Sequence, residues 1–151
     1  MLTHSEHAGV QQQACVVLRS LSLNDCNKLM IAEAGGIEAV VAAMEAHKDR
    51  VLVQQPACAA LRSLASNDCN KLKIAEAGGI EAVVAATEAH KTSDSVQEHA
   101  CLALWYLAAQ GSLRQRIKGA GGVECVKHAV NASNATADTK SWGNDLLDKL
   151  K

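Results

Sequence analysis

The chain copies itself. Residues 53–95 repeat residues 10–52 at a shift of 43, and 32 of the 43 positions are identical. The shared text includes Leu61-Arg62-Ser63-Leu64, Asn67-Asp68-Cys69-Asn70-Lys71 and Ile74-Ala75-Glu76-Ala77-Gly78-Gly79-Ile80. A looser third copy occupies residues 96–138, and residues 139–151 begin a fourth and stop. A period near 40 marks a stacked array, in which each unit buries its apolar face against its neighbour. Such an array makes an extended surface more readily than a catalytic cleft. The expected organisation is a polar segment, 1–9, followed by one repeat domain, 10–151.

Each unit reads as three helices. In the second copy, residues 53–65 carry Ala57, Cys58, Ala60, Leu61 and Leu64 as a stripe at helical spacing. Pro56 is placed in the first turn, where a missing N–H costs little. Ser66-Asn67-Asp68 offers capping oxygens to a short helix ending near Ala77, with Leu72 and Ile74 as its apolar contacts. Gly78-Gly79 ends it, one glycine taking the left-handed conformation and the pair allowing a sharp corner. The next helix runs from Ile80 to about Lys91 and buries Ile80, Val83, Val84 and Thr87. In the third copy Ser95-Val96-Gln97-Glu98 has the form of a capping box. There the short helix loses the Asn-Lys-Leu pattern and lies between Gly111 and Gly119, which predicts the weakest helix of the array. Residues 131–138 are the most linker-like stretch. Residues 139–151 form a capping helix rich in Lys and Asp, with Leu147 and Leu150 in the register of Leu104 and Leu107. No such cap precedes Val10, so the first long helix is expected to expose an apolar edge.

Composition narrows the partners. Apolar residues make up 48% of the chain, aromatics 2%, and there is no Phe, so the core is Ala, Val, Leu and Ile. A net charge of -1 lacks the domain-wide basic footprint of a nucleic-acid binder. No apolar run is long enough to span a membrane, and the polar start with His4 and His7 is unlike a secretory signal. Cys15, Cys58 and Cys101 share one repeat position, and Cys26 and Cys69 another. Equivalent positions on stacked helices lie roughly 10 Å apart, too far for a disulfide. No Cys or His spacing suits a metal. The reading is of small thiols in a reducing cytoplasm or nucleus, with no metal or cofactor.

The unit resembles the armadillo repeat. The matching text is Asn-Lys-x-x-Ile-x-x-Ala-Gly-Gly-Ile at residues 27–37 and 70–80, then a Val-rich helix. The third helix, Ala-Cys-x-x-Leu-x-x-Leu, matches at residues 14–21, 57–64 and 100–107. The chain is similar to the near-identical armadillo arrays of protist and algal proteins. The related HEAT repeat normally has two helices and lacks this corner. The resemblance implies an all-α, right-handed α-solenoid whose third helices line a concave groove.

If those helices bury their Ala-Leu-Leu stripes, their outward faces follow at 100° per residue. The first presents Gln12, Gln13, Val16, Arg19, Ser20 and Leu23. The second presents Gln55, Pro56, Ala59, Arg62, Ser63 and Ser66. The third presents Glu98, His99, Leu102, Trp105, Tyr106 and Ala109. Rows then cross the array: Arg19, Arg62, Trp105; Ser20, Ser63, Tyr106; and Gln13, Pro56, His99, Trp142. Arg19 and Arg62 could hold carboxylates of an acidic partner. Trp105 and Tyr106 could anchor an apolar side chain, or close the end of the stack. Nuclear-import adaptors carry a ladder of Trp and Asn four residues apart on this helix. Here those positions are Val16 and Ser20, Ala59 and Ser63, Leu102 and Tyr106, so a nuclear-localisation signal is not the expected ligand. No catalytic constellation is present: His47, His90, His99 and His128 have no nucleophile or metal partner at a recognisable spacing. The expected function is a non-enzymatic protein-interaction module. A self-associating spacer, or part of a longer scaffold, is the alternative.

Overall fold

The computed structural model describes residues 1, 4–132 and 135–151, and every regular element among them is helical. The chain opens with α1 (Ala8–Leu21), α2 (Asp25–Glu33) and α3 (Gly36–Ala46). The pattern recurs as α4 (Val51–Ala65), α5 (Asp68–Glu76) and α6 (Gly79–Ala89). It recurs again as α7 (Asp94–Ala108), a 3-10 turn at Gly111–Leu113 running into α8 (Arg114–Gly119), and α9 (Gly122–Asn131). Helix α10 (Ala137–Lys149) follows. Like packs on like: α1, α4, α7 and α10 lie side by side in that order, as do α3, α6 and α9. This is the expected α-solenoid. Its core is one continuous strip in which Ile37, Leu61, Leu64, Ile74, Ile80, Leu104, Leu107, Ile117 and Leu146 are fully buried. No helix among the described residues is long and apolar enough to cross a membrane.

The corner between short and middle helices gives its two glycines different tasks. Gly35, Gly78 and Gly121 have φ of 78°, 83° and 89°, the left-handed region that disfavours a side chain. Gly36, Gly79 and Gly122 are needed for a close approach. A Cβ on any of them would lie 2.8 Å from the carbonyl oxygen of Ile31, Ile74 or Ile117. The short helices start on side-chain caps: Asn24 Oδ1 accepts from the Cys26 and Asn27 amides, and Asn67 Oδ1 from Cys69. The third copy has no such Asn. Its short helix is reduced to the 3-10 turn and six α-helical residues, as the glycines at its ends predict.

A buried glutamine fixes each long helix to the chain before it. Gln54 Nε2 donates to Met44 O and His47 O at 2.8 and 2.9 Å, and Gln97 Nε2 to Thr87 O and His90 O at 2.9 and 3.0 Å. These are carbonyls at or near the end of the middle helix, which lack an intrahelical donor. Gln11 makes the same pair of bonds to Met1 O and His4 O, both 2.8 Å. Met1 and His4 stand 43 residues before Met44 and His47, so the opening segment already follows the register.

Four local expectations are corrected. Helix α4 starts at Val51, which puts Pro56 beyond the first turn. The Leu52 carbonyl therefore loses its helical donor, and Leu52 is exposed enough for water to replace it. Helix α7 starts at Asp94, so Ser95 caps nothing, and Gln97 turns inward to the carbonyls above. Leu72 is exposed because the buried face of α5 holds Asn70, Lys71, Ile74 and Ala75, and two residues before Ile74 is about 200° away. In α10 the fully buried residue is Leu146, with Leu147 only half-buried. Of the linker-like stretch, Asn131 ends α9, Ala137 opens α10, and residues 133 and 134 lie outside the described residues.

Candidate partner-binding groove

Four parallel positions define the candidate groove, on α1, α4, α7 and α10. The floor changes along the array. At the row Val16, Ala59, Leu102, exposure falls from 38% to 3% and 8%, so only Val16 is open. Ala59 and Leu102 were expected on the outward face and instead pack into the stack, because each has a long helix on both sides. Of the flanking residues, Gln13, Arg19 and Ser20 are exposed, and Gln12, Gln55, Arg62, Ser63, Glu98 and His99 are half-buried.

The arginine row meets the histidine row between α4 and α7. Arg62 Nη1 lies 3.1 Å from His99 Nδ1. A guanidinium only donates, so Nδ1 accepts and the neutral ring carries its proton on Nε2. Burial first, then the charges of Arg62 and Arg19, push His99 down to about 4. Both arginines thus act on one site. Neither has a carboxylate within ion-pair distance among the described residues, although Lys28, Lys71, Lys91, Arg116, Lys127, Lys149 and Lys151 each have one.

The aromatic row is engaged with α10. Trp105 stands edge-on to Tyr106 at 5.1 Å and 77°, and to Trp142 at 4.9 Å and 66°. The Lys149 ammonium lies 4.7 Å from the Trp105 ring centre. The Trp105 indole N–H donates to Asp145, and Lys149 also pairs with Asp145. Lys149 and then Trp105 hold the Asp145 carboxyl below its usual range. Trp105, Tyr106 and Trp142 stay half-buried. They pack on one another and on α10 at this end of the candidate groove.

Asp145 and Lys149 were missed from sequence. Carrying the Leu102 and Tyr106 rows one further period lands on them, but α10 shares so little text with the other long helices that only Trp142 stood out. Also missed was the role of Ser63, whose hydroxyl donates to Ser22 O across the unit boundary at 3.0 Å. Ser20 has only the Val16 carbonyl of its own helix. His47 and His90, for which sequence offered no partner, contact the carbonyls of Ser5 and Lys48 in the preceding turn.

The thiols follow their positions. Cys15, Cys58 and Cys101 are buried and pushed up to about 12 by desolvation, whereas Cys26 and Cys69 face solvent. Among the described residues no three metal-ligating side chains come together.

The armadillo/beta-catenin-like repeat model matches residues 24–66 and 67–109, two successive lengths of 43 that cover more than half the chain. Each match runs from the cap of a short helix to the end of the next long one. No curated protein matches the chain. With three glycine corners, like-on-like helix packing and this match in phase with them, the chain belongs to the armadillo/beta-catenin-like repeat family.

Proposed function

We propose that this protein is a non-enzymatic interaction module of the cytoplasm or nucleus, and that its groove takes an acidic segment of a partner protein. Armadillo repeats are generally protein-interaction modules, and the solenoid is a non-catalytic scaffold. The observation that carries the finer reading is the pair Arg19 and Arg62, equivalent positions on the candidate groove with no carboxylate in ion-pair reach among the described residues. Arg62 is turned onto a neutral imidazole and can exchange that weak contact for a forked carboxylate bond. The half-buried aromatics beyond them offer an apolar anchor. His47 and His90 contact backbone carbonyls, and His99 contacts Arg62.

The test is titration of the whole chain with an octa-glutamate peptide and, separately, an octa-lysine peptide, followed through Trp105 and Trp142 fluorescence. Octa-glutamate binding that weakens with salt and is lost in Arg19→Glu/Arg62→Glu supports the reading. A bound carboxylate offsets the two guanidinium charges and raises His99 from about 4. The complex then holds more protons than the free chain below the ordinary histidine range, so affinity rises as pH falls toward 5. Preference for octa-lysine, or no effect of the double substitution, overturns it.

A second reading is self-association through the N-terminal end. It is favoured by Val10, Val17, Leu21 and Met30, which are 43%, 54%, 48% and 65% exposed.

A further inference from the structure

From that second reading, we infer that the N-terminal face is a two-fold interface, on which a second copy of this chain docks face to face. In unit two the same surface is an interface already. Val53, Ala60 and Leu64 are at most 1% exposed because α1 and its neighbours cover them. Their counterparts Val10, Val17 and Leu21 occupy the same helix positions and, among the described residues, have Met1 beside them but no helix across them, which leaves them about half exposed. Between Leu18, Leu21 and Met30 opens an apolar hollow of about 650 Å3. The N-terminal face thus presents the surface by which unit two meets unit one.

The twin sequences say more than the exposure does. Where units one and two differ, an end that met only water would be expected to gain polar residues, as terminal repeats of solenoids do. The two largest changes run the other way. Among the positions that line this face, unit one has Val17 for Ala60 and Met30 for Lys73, with Gln13 for Pro56 the one polar replacement. Met30 is 65% exposed. Neutral, bulky side chains on an open helix end are the composition of an interface.

The occupant follows from what the rest of the molecule offers. The C-terminal end presents Asn144, Asp148 and Lys151, which would set charges against an apolar face, so head-to-tail stacking is disfavoured. The other large exposed apolar residues are Val16 on the groove side and Val51, Leu52 and Leu72, none of which lines the hollow. The complement to the N-terminal face is therefore the N-terminal face of another copy. Such a contact is isologous and closes at two chains.

Sedimentation of the full chain from low micromolar to several hundred micromolar tests this. The expected result is a monomer–dimer equilibrium that stops at twice the 15.9 kDa chain mass. Leu21→Glu should weaken it roughly 30-fold or more, the effect of a charge in an interface centre. Leu72→Glu, at a site equally exposed but remote from the face, should leave it unchanged, with helical circular dichroism retained in both. A strict monomer at every concentration overturns the interface and the self-association reading together. Growth beyond a dimer, or a dimer indifferent to Leu21→Glu, overturns the two-fold contact alone.

Discussion

Units one and two are nearly the same text in different company. Leu21 and Leu64 occupy the same turn of the same helix, yet Leu21 is 48% exposed and Leu64 fully buried. Asn27 Nδ2 reaches one carbonyl, Leu21 O at 3.0 Å. Asn70 Nδ2 reaches the equivalent Leu64 O at 3.3 Å and also Lys28 O in the unit before it at 3.1 Å. Helix, cap and corner are set within a unit. Burial and the last hydrogen bonds come from its neighbour. In a solenoid, stability is therefore a sum of modest unit terms and larger interface terms.

The largest expected effect separates the twins at that leucine. Leu64→Ala removes a fully enclosed side chain between α1 and α4 and should cost about 2–5 kcal/mol. Leu21→Ala, made well below any association range, should cost under about 1 kcal/mol, since most of the side chain already meets water. Urea denaturation of the two variants reads both values. Equal costs would mean that the exposed end is covered in solution even in the monomer, and the contrast between the units would fail.

The period of 43, the three-helix unit and the glycine corner were legible in the sequence, because each is written three times. What was not legible depends on neighbours. The corner glycines suggested shared conformational freedom. The approach of Gly36, Gly79 and Gly122 to an isoleucine carbonyl five residues earlier is a contact that no local pattern announces. The outward face of the third helices was placed by rotation alone, and rotation cannot tell that Ala59 and Leu102 lie between two long helices while Val16 has only one. Trp105 and Tyr106 stood out as departures from the repeat, but their bracing by Asp145 and Lys149 involves a helix outside the period's clear text.

A second difference between the twins should appear at the corner. In Gly79→Ala the new Cβ would meet Ile74 Cγ2 at 2.6 Å and Ile74 O at 2.8 Å, with Ile74 fully buried. The backbone cannot withdraw, and a loss of about 1–3 kcal/mol is expected from overpacking. Gly36→Ala creates the same clash with Ile31. There the isoleucine borders the open hollow and can move into it, so the cost should be smaller. Thermal melts of the two variants, compared with the parent chain, give the order. If Gly36→Ala is the more damaging, the hollow is not free space in solution.

The smallest effect isolates a single hydrogen bond between units. Ser63 Oγ donates 3.0 Å to Ser22 O, and Ser22 is fully buried, so in Ser63→Ala that carbonyl loses its donor from unit two. The expected cost is about 1 kcal/mol, the usual net value for such a bond. Ser20 Oγ bonds the Val16 carbonyl four residues back in its own helix, in full view of solvent. That carbonyl keeps its helical N–H partner when the hydroxyl is removed. Ser20→Ala should therefore be neutral to within about 0.5 kcal/mol, or slightly stabilising, because alanine is the better helix former. Chemical denaturation resolves a difference of this size when both variants are measured beside the parent. Equal costs would show that the Ser22 carbonyl is satisfied by another route and that the boundary between units is held by apolar contact and by the bonds of Gln54, Asn70 and His90 without Ser63.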